Sequence, residues 1–381
     1  TLQPSVLRWA RERAGISPEE LARKIQVKPE RVVEWEKSGR ISIAQTDNLA
    51  RSTHTPLGFL YLTEPPTDQL SIPDFRTRRQ SGEPPSPDLL ETVESMQRRQ
   101  SWMRDELIAE GAEPLDFIGA WRADDAPQEV ARAMRDAFRF GDHKASGKFA
   151  WASTLRRLRD QAEHAGVLVV VNSVVGNNTH RRLDPMEFQG FALVDEYAPL
   201  VFVNGADFKA AQMFTLAHEL AHLLVGETGV SLLQDFTPPN HATEQFCSQT
   251  AAEFLVPESE LQHFWPTIEK EPDPYQAIAQ RFKVSLLVAA HRTLDLDLID
   301  RNAFADFYQK YRDQRWHKEK NSEQSGGNFW MTQRWRVGAR FGSAVARAVR
   351  ENRLPYREAY NLTGLRRDTF ERMLEKMEVL L

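Results

Sequence analysis

From Phe214 to Leu224 the chain reads F-T-L-A-H-E-L-A-H-L-L, an apolar run broken only by one threonine, two imidazoles and one carboxylate. A helix of this composition has no polar face to turn to water, so it has to be covered on nearly every side. The three ionisable groups go in with it. Even a neutral polar group costs roughly 2–7 kcal/mol to bury unless it meets a partner, and a charged one far more. The rest of the chain must therefore build layers around this helix and bring polar partners to it from elsewhere. With 381 residues, 41% of them hydrophobic, there is material for two or three domains with real cores.

Three short β-branched or aromatic runs precede the helix: Val167–Asn172 (V-L-V-V-V-N), F-Q-G-F-A-L-V and P-L-V-F-V-N, the last two joined by the turn D-E-Y-A. They read as strands that could lie against it. The apolar helix itself is expected from about Asp207 to Val225, with Gly226 as its stop, and a second from about Thr243 to Leu255, before Pro257. Amphipathic helices are expected over 88–112, 127–139 and 150–165, and two or three small ones around F-K-V-S in 275–299. The first fifty residues read as four short helices. Ser17, Pro18 and Glu20 form a capping-box pattern at the second, Pro29 opens the third, and Ser38-Gly39 ends it. Lys318–Asn328 (K-E-K-N-S-E-Q-S-G-G-N) reads as a linker, and the tail from about Phe329 as helical and basic.

His218 and His222 are four residues apart, so on a helix they point the same way, about 40° from one another. Two neutral imidazoles so placed can share a Zn²⁺ at about 2.1 Å. Glu219, turned about 100° from His218, is poorly placed to coordinate and well placed to take a proton from an attacking water. This is H-E-x-x-H. A third ligand is needed, and the helix T-E-Q-F-C-S-Q-T-A-A-E-F-L offers Glu244 and Glu253, about 180° apart. Glu244 shares its side with Cys247, Ser248 and Ala251, small groups that permit close approach, and is the better ligand. Glu253 is expected to be solvated or a supporting carboxylate. His241, just before that helix, is the alternative ligand, or a group that stabilises an oxyanion. Cys247, the sole cysteine, is read as a packing residue.

Together, V-F-V-N-G, the H-E-x-x-H helix and E-x-x-C-S-x-T-A-A-E-F-L-V-P resemble the ImmA/IrrE family of zinc metallopeptidases over about residues 150–300. The resemblance implies His218, His222 and Glu244 as metal ligands and Glu219 as the base. It extends to R-F-K-V-S…H-R-T-L, where His291 joins His241 as a candidate oxyanion-stabilising or supporting group. Cys247-Ser248 stands where the family usually has Ala-Asn, and Ala221 where it often has Gly. Residues 5–52 resemble the Xre/Cro-type helix-turn-helix. That resemblance implies a third helix presenting Lys28, Glu30, Arg31 and Glu34 to a DNA major groove, with Trp35 in the core and the acids Glu30, Glu34 and Glu36 close to the phosphates.

The charge is distributed unevenly. Residues 1–51 carry 10 Lys and Arg against 7 Asp and Glu, residues 328–381 carry 11 against 6, and the acidic stretch between holds −13 of a net −5. Basic ends suit contact with DNA, and the middle does not. A single cysteine, no leader-like N-terminal segment and no apolar run near ~20 residues make the cytoplasm the expected location, with no membrane partner. The expected fold class is α+β. An all-α helix-turn-helix domain (1–70) is followed by a helical connector (71–148) and a zincin-like metallopeptidase domain (149–300), with a small β-sheet, the H-E-x-x-H helix and a small helical unit at 275–300. A basic helical region (301–381) ends it. The expected function is a zinc-dependent endopeptidase (Mn²⁺ or Fe²⁺ remaining open) in transcriptional, stress or phage regulation. Its substrate would be a regulatory DNA-binding protein, and a homodimer is one possible assembly. The rival is a DNA-binding regulator or antitoxin, paired with a cognate toxin, whose peptidase fold serves as a sensor or partner-binding module.

Overall fold

The computed structural model describes residues 2–66, 70–74, 85–140, 150–207, 209–231, 242–322 and 329–378. The chain divides into two compact units, residues 1–71 with 81–94 and residues 72–80 with 95–381. The first is all-helical and the second carries a small mixed sheet, so the fold class is α+β.

In the first unit, α1 (Pro4–Arg13), α2 (Pro18–Lys24), α3 (Pro29–Ser38) and α4 (Ile43–Ser52) are followed by a 3-10 turn, Leu57–Tyr61. The first three helices open on proline, whose missing N–H is not needed there. Ser17 and Glu20 exchange both bonds of a capping box at α2, and Ser42 caps α4. Val6, Leu7, Leu21, Val32, Trp35, Leu49 and Leu60 close the core. Glu36 corrects one expectation. It is buried, and Arg11 donates to it from Nε at 2.6 Å and Nη2 at 3.0 Å. It lies on the inner side of α3, one residue from the core Trp35, and not on the side that would meet phosphates.

The second unit has four strands in the order β1-β3-β2-β4: β1 (Leu168–Asn172), β2 (Gly190–Leu193), β3 (Leu200–Asn204) and β4 (Gly229–Ser231). β1 runs parallel to β3, while β3–β2 and β2–β4 are antiparallel, with Gly190 opposite both Val203 and Ser231. β4 was not expected, since three residues are too few to show a strand period. Its central residue Val230 bridges to Asp74 at the sheet edge. Leading to the sheet are α5 (Pro87–Ala109), whose residues from Ser95 belong to this unit, α6 (Pro127–Ala137) and α7 (Ala150–His164).

The H-E-x-x-H helix is α8 (Lys209–Val225), packed on β2 and β3, with α9 (Ala242–Leu255) alongside and α6 and α7 against it. Thr215 to Leu224 are buried without a break, as the composition of the run requires. The carbonyls of Leu223 and Leu224 at its end accept N–H groups of Gly119 and Trp121, at 3.0 and 3.1 Å. On the opposite face of the sheet Phe191 stacks on Phe202 at 4.9 Å.

Further on come α10 (Glu258–Ile268), α11 (Pro274–Phe282), α12 (Leu286–Asp295) and α13 (Arg301–Ser322). α13 takes in the first half of the expected linker, Lys318–Ser322, whose Lys and Glu are good helix formers. Residues 323–328 lie outside the described residues. The tail folds as α14 (Phe329–Val337) beside β1, α15 (Ala339–Arg350), α16 (Tyr356–Thr363) and α17 (Arg367–Glu378). It is anchored on the same unit. Glu163 accepts N–H groups of Ala339 and Arg340 at the start of α15, and buried Arg99 donates to the carbonyls of Arg336, Leu362 and Thr363. Among the described residues no helix is long and apolar enough to cross a membrane.

Candidate metal centre

Helical periodicity puts His218 and His222 on one side of α8, and the first turn of α9 brings Glu244 to them. The donor atoms of three residues crowd one point: His218 Nε2 lies 3.1 Å from His222 Nε2 and 3.2 Å from Glu244 Oε2, and His222 Nε2 lies 2.9 Å from Glu244 Oε1. All three residues are buried and form the one metal-competent cluster among the described residues. Bonds of about 2.1 Å in a tetrahedral site place donors about 3.4 Å apart, close to what is seen. Protons serve this arrangement poorly, because an N–H from each imidazole to its own Glu244 oxygen would set the two N–H groups against one another at 3.1 Å. One small cation satisfies all three, so the residues fit a metal. His218 Nδ1 faces Ser248 Oγ at 3.3 Å, which suits an Nδ1–H and leaves Nε2 its lone pair. Ser231, on β4, donates to Glu244 Oε1 at 3.3 Å.

Electrostatics point the same way for two of the three residues; at His222 burial pulls down, but Cys247 and Glu244 outweigh it and raise the imidazole well above its ordinary range. Burial holds His218 below the ordinary imidazole range, in the neutral form a ligand must have. Burial acts upward on Glu244, but the two histidines outweigh it and hold the carboxyl well below the usual range. Glu219 is different. It is fully buried, and neither carboxylate oxygen has a hydrogen-bond partner among the described residues. Burial pushes it up to about 8, with the charge of His222 pulling the other way. The space it occupies exists because position 190 lacks a side chain: a Cβ on Gly190 would stand 2.8 Å from Glu219 Oε1 and 2.9 Å from the Phe202 carbonyl oxygen.

Residues 162–294 match the IrrE N-terminal-like domain of the M78 peptidases, and residues 7–60 match a helix-turn-helix family. The chain is an N-terminal helix-turn-helix domain fused to an ImmA/IrrE-type domain. Residues 337–376 match a domain of unknown function, DUF8813. Comparison with curated proteins finds no match.

Within the ImmA/IrrE-type domain His291 and Glu253 are not part of the metal-competent cluster. His291, on α12, is partly exposed, turns Nδ1 to Asp295 at 3.1 Å and meets Phe304 edge-on. His241 lies outside the described residues. Glu253 is neither solvated nor a supporting group of the centre. It is buried, paired with Arg292 of α12, and accepts the Glu258 N–H. Cys247 is buried in the core cluster, and burial pushes its thiol up, away from the thiolate a metal would need. In the helix-turn-helix domain, Lys28 precedes α3 and Glu30, Arg31 and Glu34 are exposed on it, with Arg31 bonded to Glu34 at 2.9 Å.

Three contributors escaped the sequence reading. Ser248 carried a usable signal, since it lies one turn after Glu244 on the same side and has a hydroxyl. Gly190 and Ser231 carried none, because their roles depend on the register that sets them opposite one another.

Proposed function

We propose that this chain is a zinc-dependent endopeptidase in transcriptional, stress or phage control, acting on a regulatory DNA-binding protein. The convergence of His218, His222 and Glu244 beside a buried, unpartnered Glu219 carries the reading. In it, His218, His222 and Glu244 hold the zinc, which supplies a Lewis acid for a peptide carbonyl and makes water more acidic. Glu219 accepts the proton of the attacking water on a carboxylate oxygen and delivers it to the departing amine. Its lack of any internal hydrogen bond leaves that oxygen uncommitted. Ser248 fixes the His218 ring, and Ser231 steadies Glu244. Mn²⁺ or Fe²⁺ would suit the same nitrogen and oxygen donors less selectively. The helix-turn-helix domain, residues 1–70, addresses the peptidase, residues 149–300, to DNA or to a DNA-bound substrate.

A second reading, a DNA-binding regulator or antitoxin whose peptidase fold senses metal or holds a partner, is favoured by one observation: His218, Glu219 and His222 are all 0% exposed. Comparison of new protein N-termini in cells making the wild-type chain and the Glu219→Gln variant separates the two. The endopeptidase reading expects cleavage products that fall about 10²–10⁴-fold in the variant, while the purified variant keeps one metal per chain. Equal products from both chains, or none from either, would favour the second reading.

A further inference from the structure

Besides the α1–α2 corner at Gly15 (φ 67°), which has the same register, three helix pairs turn alike on a residue in the left-handed backbone region: Gln26 (φ 58°), Lys283 (φ 59°) and Gly364 (φ 68°). Their registers coincide. The second helix begins three residues later each time, at Pro29, Leu286 and Arg367. Five residues before the left-handed position lies a buried apolar residue, Leu21, Ile278 or Ala359. Six residues after it lies another, Val32, Ala289 or Phe370. The residue just after the turn, Val27, Val284 or Leu365, is apolar and tucked inward in all three. The first pair falls in the segment that matches a helix-turn-helix family, and the third in the segment of unknown function.

What differs is the outer surface of the second helix. In α12 it is spent on packing: Val288, Ala289 and Ala290 are buried, and Arg292 neutralises Glu253. In α17 the corresponding surface is open and mixed in charge, with Arg367 paired to Glu371 at 2.9 Å and Asp368 exposed beside it. Arg366 in the turn, Arg367 at the first helical position and Arg357 at the start of α16 are exposed, and Arg372 follows one turn on along α17. Residues 337–376 carry 9 Lys and Arg against 5 Asp and Glu, next to a stretch at −13. The turn itself is held firmly: Asn177 donates to the Gly364 carbonyl at 2.8 Å, and Arg99 to those of Leu362 and Thr363.

We propose that α16 and α17 form a second DNA-binding helix-turn-helix, with α17 entering the major groove of a duplex and Arg357, Arg366, Arg367 and Arg372 meeting phosphates or base edges. In such units the second helix offers its N-terminal residues to the bases while the first crosses the backbone, which is where these arginines stand. The inference does not depend on the peptidase reading.

The test uses the full chain and labelled 40-base-pair duplexes with randomised centres, titrated between 50 and 200 mM salt. Arg366→Ala/Arg367→Ala should flatten the slope of log affinity against log salt by roughly 2, at about 0.9 for each phosphate no longer neutralised, and weaken binding at 50 mM about tenfold or more. Arg366→Lys/Arg367→Lys keeps the charges and should bind nearly as the parent does. Arg357→Ala/Arg372→Ala should move the slope the same way and guards against a folding defect in the first pair. Wild-type affinity and slope in both alanine pairs would overturn the proposal.

Discussion

Helix α9 carries two buried glutamates, nine residues apart on opposite sides, and they meet opposite fates. Glu253 is answered from within the chain: Arg292 supplies a full counter-charge, and the Glu258 N–H adds a further bond. Glu244 is answered by two imidazoles, one that burial keeps neutral and one raised well above its ordinary range, and by one serine hydroxyl. Next to it stands Glu219 with no hydrogen-bond partner among the described residues. A protein that can finish a buried carboxylate at one end of a helix and leaves a cluster unfinished at the other is treating the two ends differently. The unfinished end is where a ligand is expected, because a buried, unpaired polar cluster persists only when something outside the chain completes it.

That contrast can be broken at either end. The largest effect is expected at the finished one. Arg292→Met strands Glu253, and should cost roughly 3–5 kcal/mol in denaturant unfolding while leaving metal content unchanged. Adding Glu253→Leu should restore most of the loss. Metal lost along with stability would show that the two ends are one system. Next comes Glu244→Ala. Bound metal should fall from one per chain toward none, and the stabilisation by added zinc, about 4 kcal/mol at a thousandfold excess over Kd, should vanish. A variant that retained its zinc would remove Glu244 from the ligand set. The smallest effect is expected from Ser248→Ala, which frees the His218 ring. Zinc affinity should drop about 10–100-fold with little change in metal-free stability, read by competition with a chromogenic chelator.

What could be read beforehand follows a simple division. Features set by helical period or by chain-local chemistry were legible: the shared side of His218 and His222, the choice of Glu244 over Glu253 as the one that turns toward them, and the capping box of Ser17 and Glu20. Features set by a distant partner were not. Glu253 was expected to be solvated or to support the centre because its partner, Arg292, stands 39 residues away on another helix. Glu36 was placed near phosphates because nothing local announces Arg11 reaching across from α1. β4 is three residues long, G-V-S, and exists as a strand only because β2 offers it an edge.

Arg99 sets a schedule. Its guanidinium is buried and its acceptors, the carbonyls of Arg336, Leu362 and Thr363, lie up to 264 residues further along the chain. At about 5–20 residues per second of synthesis, roughly 13–53 s pass between the appearance of the donor and that of its last acceptor. Until then the second unit cannot close over this group without stranding a charge. Its folding is therefore tied to the end of translation, whereas the first four helices of the first unit are complete within the first fifty-two residues to leave the ribosome.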